Sequence, residues 1–193
     1  EHGKPGTEPF QSRLGAIAFG TVDAAKFYAK NPNNRADQVV ESRVIKAELT
    51  INKPVMDNPH DPFIDFPIIV EAIGVEKAKT IAIELKDHIF NTNNWCELAD
   101  EHGCETIEEL FEKMGDEKAL DELYVDAYPV FDEEKYVQWF RDAGYDGLVQ
   151  AGNGVTALQP EYKIFNPDQA KVLNVIPLKE REYELDGEPA LTA

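Results

Sequence analysis

Cysteine, basic residues and long apolar runs are all scarce in this chain of 193 residues, and each shortage removes a class of protein. Two cysteines cannot build a disulfide framework, so nothing in the sequence requires an oxidising compartment. With 19 Lys and Arg against 37 Asp and Glu the formal net charge is −18, and no run of basic residues interrupts it. Such a surface repels nucleic-acid phosphates, so a protein partner, with a basic one favoured, is expected ahead of a nucleic acid. No apolar stretch approaches the roughly 20 residues that span a bilayer, and no signal-peptide pattern is visible, so no membrane partner is expected. Internal repeats are missing, as is a glycine-rich phosphate loop ending in lysine. His88, Cys96, His102 and Cys104 fit no common zinc spacing, and no metal is expected. The chain begins at Glu1 without a methionine, as a processed or excised piece of a longer protein would.

What is present supports one domain. A hydrophobic content of 42% is enough for a single sizeable core. Residues 1–13 are polar, with Gly3, Pro5, Gly6 and Pro9 breaking any pattern. Gly15–Gly20 is small and apolar, as a buried strand is, and Thr21 is placed to cap a helix carrying Val22, Ala25, Phe27 and Tyr28, which Asn31–Asn34 ends. Val44–Ile51 nearly alternates and reads as a strand closed by Asn52-Lys53-Pro54. From about residue 67 to residue 123 the apolar spacing turns helical, with Ile68, Ile69, Ala72 and Ile73 on one face, Ile81, Leu85 and Ile89 on another, and a further helix over Thr106–Met114. This block carries much of the acidic charge and reads as an insertion between strands; Glu105, Glu108 and Glu109 mark a solvated face. A last helix over Asp132–Asp142 has Asp132 as its expected cap. Gly144–Gln150 then forms a turn and a strand, with Asp146 as turn former, and Gly152-Asn153-Gly154 a mobile loop. Tyr162–Phe165 reads as a short strand, closed by Asn166-Pro167. Beyond Pro177 the chain is charged and aperiodic, which predicts a domain over 1–177 and a flexible acidic tail over 178–193. Strands and helices do not alternate regularly, so the fold class is α+β.

Three separated segments, in order, carry a resemblance. Gly15–Ala29 pairs a glycine-hydrophobic-aromatic strand with a helix whose end brings alanine and tyrosine together, at Tyr28-Ala29. Ala143–Val149 contains the turn Tyr145-Asp146-Gly147-Leu148. Glu161–Gln169 places a glutamate and a tyrosine on a strand that ends in a turn and a glutamine. Together they resemble the ADP-ribosyltransferases, in particular the poly-ADP-ribose-polymerase-like domains in polyvalent proteins of bacteriophages. The strand ending at Asn52-Lys53-Pro54 resembles a boundary in the same phage members. The resemblance implies a split β-sheet core with a helical insertion. It also implies NAD as substrate, with ADP-ribose transferred to a host macromolecule after the nicotinamide–ribose bond breaks. A bacterial host cytoplasm or virion location goes with it.

Breaking that bond produces an oxocarbenium-like transition state, which a nearby carboxylate stabilises. The resemblance assigns this role to Glu161, and the nicotinamide platform to Phe19 and Tyr28. Tyr28 is preferred over Phe27 because its hydroxyl can face a polar cleft. Gln169 follows as a structural or substrate-facing residue, and Gly20-Thr21 departs from the family pattern. The first family motif, a histidine-glycine or arginine-glycine pair that clamps nicotinamide, has its letters in His2-Gly3, only 12 residues before Gly15. Three alternatives stand: His2-Gly3 is a shortened motif, the motif lies upstream of Glu1, or it is lost. In the last case the chain is an inactive fold serving as a virion or protein-interaction module with an acidic surface.

Overall fold

A computed structural model describes residues 15–30, 43–153 and 159–178. Strand β1 (Ile17–Phe19) passes into helix α1 (Val22–Lys30) at Thr21, whose hydroxyl accepts from the Ala24 amide at 3.3 Å. That is the expected cap, satisfying a donor the first helical turn leaves open. Strand β2 (Arg43–Leu49) follows, and β3 (Pro54–Asp57) begins after the Asn52-Lys53 turn.

The helical block is a closed excursion. Strands β4 (Phe63–Asp65) and β5 (Tyr124–Asp126) pair antiparallel at its neck. Between them lie α2 (Phe66–Ile73), α3 (Val75–Glu84), α4 (Lys86–Phe90), α5 (Asn93–His102), α6 (Ile107–Met114) and α7 (Asp116–Asp121). The 3.6-residue spacing noted in the sequence turns Ile69, Ile81, Ile89, Ile107, Leu110 and Leu120 into one fully buried core. Thr92 caps α5, and Thr106 caps α6 while Glu109 reaches back to the Glu105 amide at 2.8 Å.

After the neck come α8 (Ala127–Asp132) and α9 (Glu134–Asp142), then β6 (Gly147–Ala151), β7 (Pro160–Ile164), a 3₁₀ turn (Pro167–Gln169) and β8 (Ala170–Pro177). The main sheet has the order β1-β7-β6-β3; β7 is antiparallel to both neighbours and β3 is parallel to β6. A separate antiparallel ribbon joins β2 to β8, with Leu173 as the extra residue of a bulge between the pairs Lys46↔Asn174 and Ala47↔Val172. The chain is thus α+β, with small sheets and one long helical insertion. Phe131 and Phe140 lie 5.1 Å apart and Phe165 stacks 5.9 Å from Phe131, binding α8 and α9 to the sheet.

One expectation is corrected here. Asp132 does not cap the last helix: residues 127–132 form their own helix, and α9 starts after Glu133 with no side-chain cap. The Asp132 carboxylate instead meets Lys163 Nζ at 2.8 Å.

Polar side chains lock the strand ends together. Asp146 accepts from the Asn52 and Lys53 amides, each at 2.8 Å, so the turn former also fixes the β2–β3 turn. Gln169 donates to Thr50 O and Asp146 O, both at 2.8 Å, and accepts from the Asn166 and Phe165 amides. Its amide is thereby spent on backbone. Gly147 permits the closest strand approach: a Cβ there would stand 2.5 Å from Lys163 O. Residues 1–13, Asn31–Asn34, Gly154 and the tail from residue 179 lie outside the described residues.

Candidate functional site

Pairing of β1 with β7 sets Phe19 opposite Tyr162, and one step further the Thr21 hydroxyl meets the Gln159 side-chain amide. The two strands and the inner face of α1 leave a cavity of about 540 Å³ with β2 as its remaining wall. Its volume lies in the range of small-molecule sites. Ala24, Ala25 and Ala29 of α1 line it, and their small side chains keep the space open. Phe19, Tyr28, Arg43 and Glu161 supply its aromatic and charged groups.

Glu161 is the second residue of β7, and its side chain is 21% exposed. Antiparallel register sets it directly across from Gln150 on β6, whose Nε2 donates to Glu161 Oε1 at 3.4 Å. Lys163, two residues along β7 and therefore on the same face, brings its Nζ to 3.6 Å from the same oxygen. That is an ion-pair distance, too long for a hydrogen bond. The lysine side chain is only 2% exposed, and its short contact is the one with Asp132. Among the described residues both side-chain contacts of Glu161 fall on Oε1, and Oε2 has no hydrogen-bond partner. The Gln150 Oε1 is buried and also lacks one.

Of the residues nominated from the sequence, Phe19, Tyr28 and Glu161 line this one cavity. His2 and Gly3 lie outside the described residues. Phe27 does not line the cavity and packs edge-on against Tyr28, with ring centroids 5.8 Å apart. Sequence reasoning missed Arg43, Gln150 and Lys163. Lys163 had a legible signal, the two-residue strand period from Glu161, whereas Gln150 needed the pairing register.

The charge is segregated. The segments 15–30, 43–53 and 159–178, which supply the lining, carry seven Lys and Arg against four Asp and Glu; residues 66–142 carry seven against twenty. No basic run exists in the sequence, and Arg43 is the cationic residue in the cavity lining, where Glu161 is the acidic one. A second hollow of about 420 Å³ lies between α2, α3 and α7, with Val70, Val75, Glu71 and Glu117 in its wall.

Among the described residues no three His, Cys, Asp or Glu side chains gather as a metal site, and Cys96 is exposed while Cys104 is buried. No helix among the described residues is long and apolar enough to cross a membrane. Compared with known proteins, the chain matches no family model, no curated protein and no solved structure.

Proposed function

We propose that this chain is an ADP-ribosyltransferase-like domain that cleaves the nicotinamide–ribose bond of NAD and transfers ADP-ribose to a host macromolecule. The observation that carries the reading is convergence: Phe19, Tyr28 and Glu161, nominated from both ends of the chain for one reaction, line a single cavity.

The chemistry follows from the groups present. As the glycosidic bond lengthens, positive charge grows on the ribose, and the Glu161 carboxylate stabilises it. With Oε1 held by Gln150 and approached by Lys163, Oε2 is the oxygen left to accept from a ribose hydroxyl. The rings of Phe19 and Tyr28 offer faces for the flat nicotinamide. Arg43, also in the lining, suits the pyrophosphate, because a guanidinium pairs with phosphate oxygens through charge-assisted hydrogen bonds. A protein acceptor fits the strongly acidic remainder of the chain better than a nucleic acid does. A phage origin, acting in the bacterial host cytoplasm or from the virion, belongs to the same proposal.

The test is calorimetric titration with NAD, combined with a nicotinamide-release assay on the wild-type chain and Glu161→Gln. The expected result is that both bind NAD while release falls about 10²–10³-fold in the variant, the loss typical of one group stabilising transition-state charge. A folded wild-type chain that does not bind NAD refutes the enzyme. It would favour the second reading, an inactive fold used for protein interaction, which the concentration of twenty acidic residues in 66–142 supports.

A further inference from the structure

We infer that Lys163 is a positioning residue that fixes the Glu161 carboxylate for its work on the substrate, an inference that rests on the reaction proposed above. A lysine in the middle of a sheet with 2% exposure is uncommon, because an ammonium loses its hydration there and needs close anionic partners. Asp132 at 2.8 Å would suffice as that partner. The Lys163 Nζ nevertheless also lies 3.6 Å from Glu161 Oε1, between the two carboxylates.

A second observation points the same way. Gln150, buried across the strand pair, directs its Nε2 to that same Glu161 oxygen while its own Oε1 is left without a partner. Gln150 is only 2% exposed, so its amide donor is withdrawn from bulk water and committed to Glu161. Two cationic or donor groups thus converge on Oε1, and the cavity-lining carboxylate keeps Oε2 for the ligand. Lys163 itself does not line the cavity, so it acts through Glu161.

The competing role is purely structural: Lys163 would clamp the end of α8 to the sheet through Asp132. Two variants separate the roles. Lys163→Met keeps the unbranched stem, one atom shorter, and removes the charge; Asp132→Asn removes the clamp and leaves the ammonium beside Glu161. Asp132 is 57% exposed and Glu161 21%, so both carboxylates retain water when the ammonium is gone. Removing one partner of an ion pair is costly when the charge left behind is buried; here both carboxylates reach water, so Lys163→Met is expected to melt close to wild type. Its kcat for nicotinamide release should fall about 10²-fold, the loss expected when a reacting group moves by about 1 Å, with KM for NAD changing far less. Asp132→Asn should keep its kcat. Gln150→Met, which removes the other contact on the same oxygen, should lower kcat in the same direction and gives a second test if Lys163→Met does not fold. Wild-type kcat in Lys163→Met or in Gln150→Met overturns the inference while leaving the reaction intact. Equal losses in Lys163→Met and Asp132→Asn overturn it in favour of the clamp. A wild-type chain that releases no nicotinamide overturns the reaction and this inference together.

Discussion

Replacing Gln169 by alanine should unfasten three parts of the chain at once. Its side-chain amide bridges the end of β2 at Thr50, the start of β6 at Asp146 and the turn after β7 at Phe165 and Asn166. Four hydrogen bonds are lost, two donated at 2.8 Å and two accepted at 2.9 and 3.2 Å. A net value of about 0.5–1.5 kcal/mol each gives roughly 2–6 kcal/mol. Gln169 is only half-buried, so the freed backbone groups partly recover water, which brings the expected loss to about 3 kcal/mol. For a chain of this size that corresponds to a fall of about 6–12 °C in Tm. Urea titration followed by tryptophan fluorescence measures it as a shift in midpoint at constant slope. Gln169→Glu refines the test, because a carboxylate keeps the acceptors but faces the Thr50 and Asp146 carbonyls with charge instead of donors. It should be at least as destabilising as alanine at neutral pH and recover on acidification. A loss below about 1 kcal/mol in Gln169→Ala would refute the view that this amide holds the strand ends together.

Further outcomes follow from the same structure. In Gly147→Ala the new Cβ would stand 2.5 Å from Lys163 O and 3.2 Å from Ile51 Cγ2, so β6 must move away from β7. We expect about 1–3 kcal/mol of destabilisation by overpacking, read by thermal melting; a wild-type Tm would contradict it. Burial, and then the hydrogen bond to Glu84, push the Tyr136 phenol well above its ordinary value. The unfolded chain therefore loses this proton first, and stability should fall as pH rises above about 10, the ordinary phenol value. Tyr136→Phe should flatten that alkaline slope, and an unchanged slope would place its origin elsewhere. At the acid end the sign reverses: hydrogen bonds from Lys135 and then Tyr136 hold Glu84 below the usual glutamate value. Its contribution is present above the unfolded value and is lost as pH falls through the folded one, so Glu84→Gln should lessen the acid sensitivity of unfolding.

The charge pattern bears on the proposed chemistry. A net charge of −18 taken alone argues against any anionic ligand. The helical insertion holds most of the imbalance, however, and the cavity lining itself carries one cationic residue, Arg43, and one acidic residue, Glu161. Screening at physiological salt has a length of about 8 Å. A ligand in the cavity therefore responds mainly to its nearest charges rather than to the sum over the chain.

Local signals in the sequence determined much of this protein. Thr21 followed by an amphipathic run gave β1 and α1 their boundary, and the 3.6-residue spacing of isoleucines and leucines gave the helical insertion its buried face. Glu161 at the start of a β-branched and aromatic stretch marked β7. Strands β3, β4 and β5 escaped notice because three or four residues are too few to show a period. Strand β8 escaped because Val172, Leu173, Val175 and Ile176 do not alternate, and all four remain exposed in a ribbon. Asp132 was misread for a related reason: its residue type fits a cap, while its actual partner, Lys163, is distant in sequence. Tertiary structure alone decided that Phe19, Tyr28, Arg43 and Glu161 share a cavity, and that Gln150 and Lys163 meet one oxygen of Glu161. Periodicity and capping act over a few residues and can be read along the chain, whereas a site forms through strand register and packing between segments that the sequence keeps far apart.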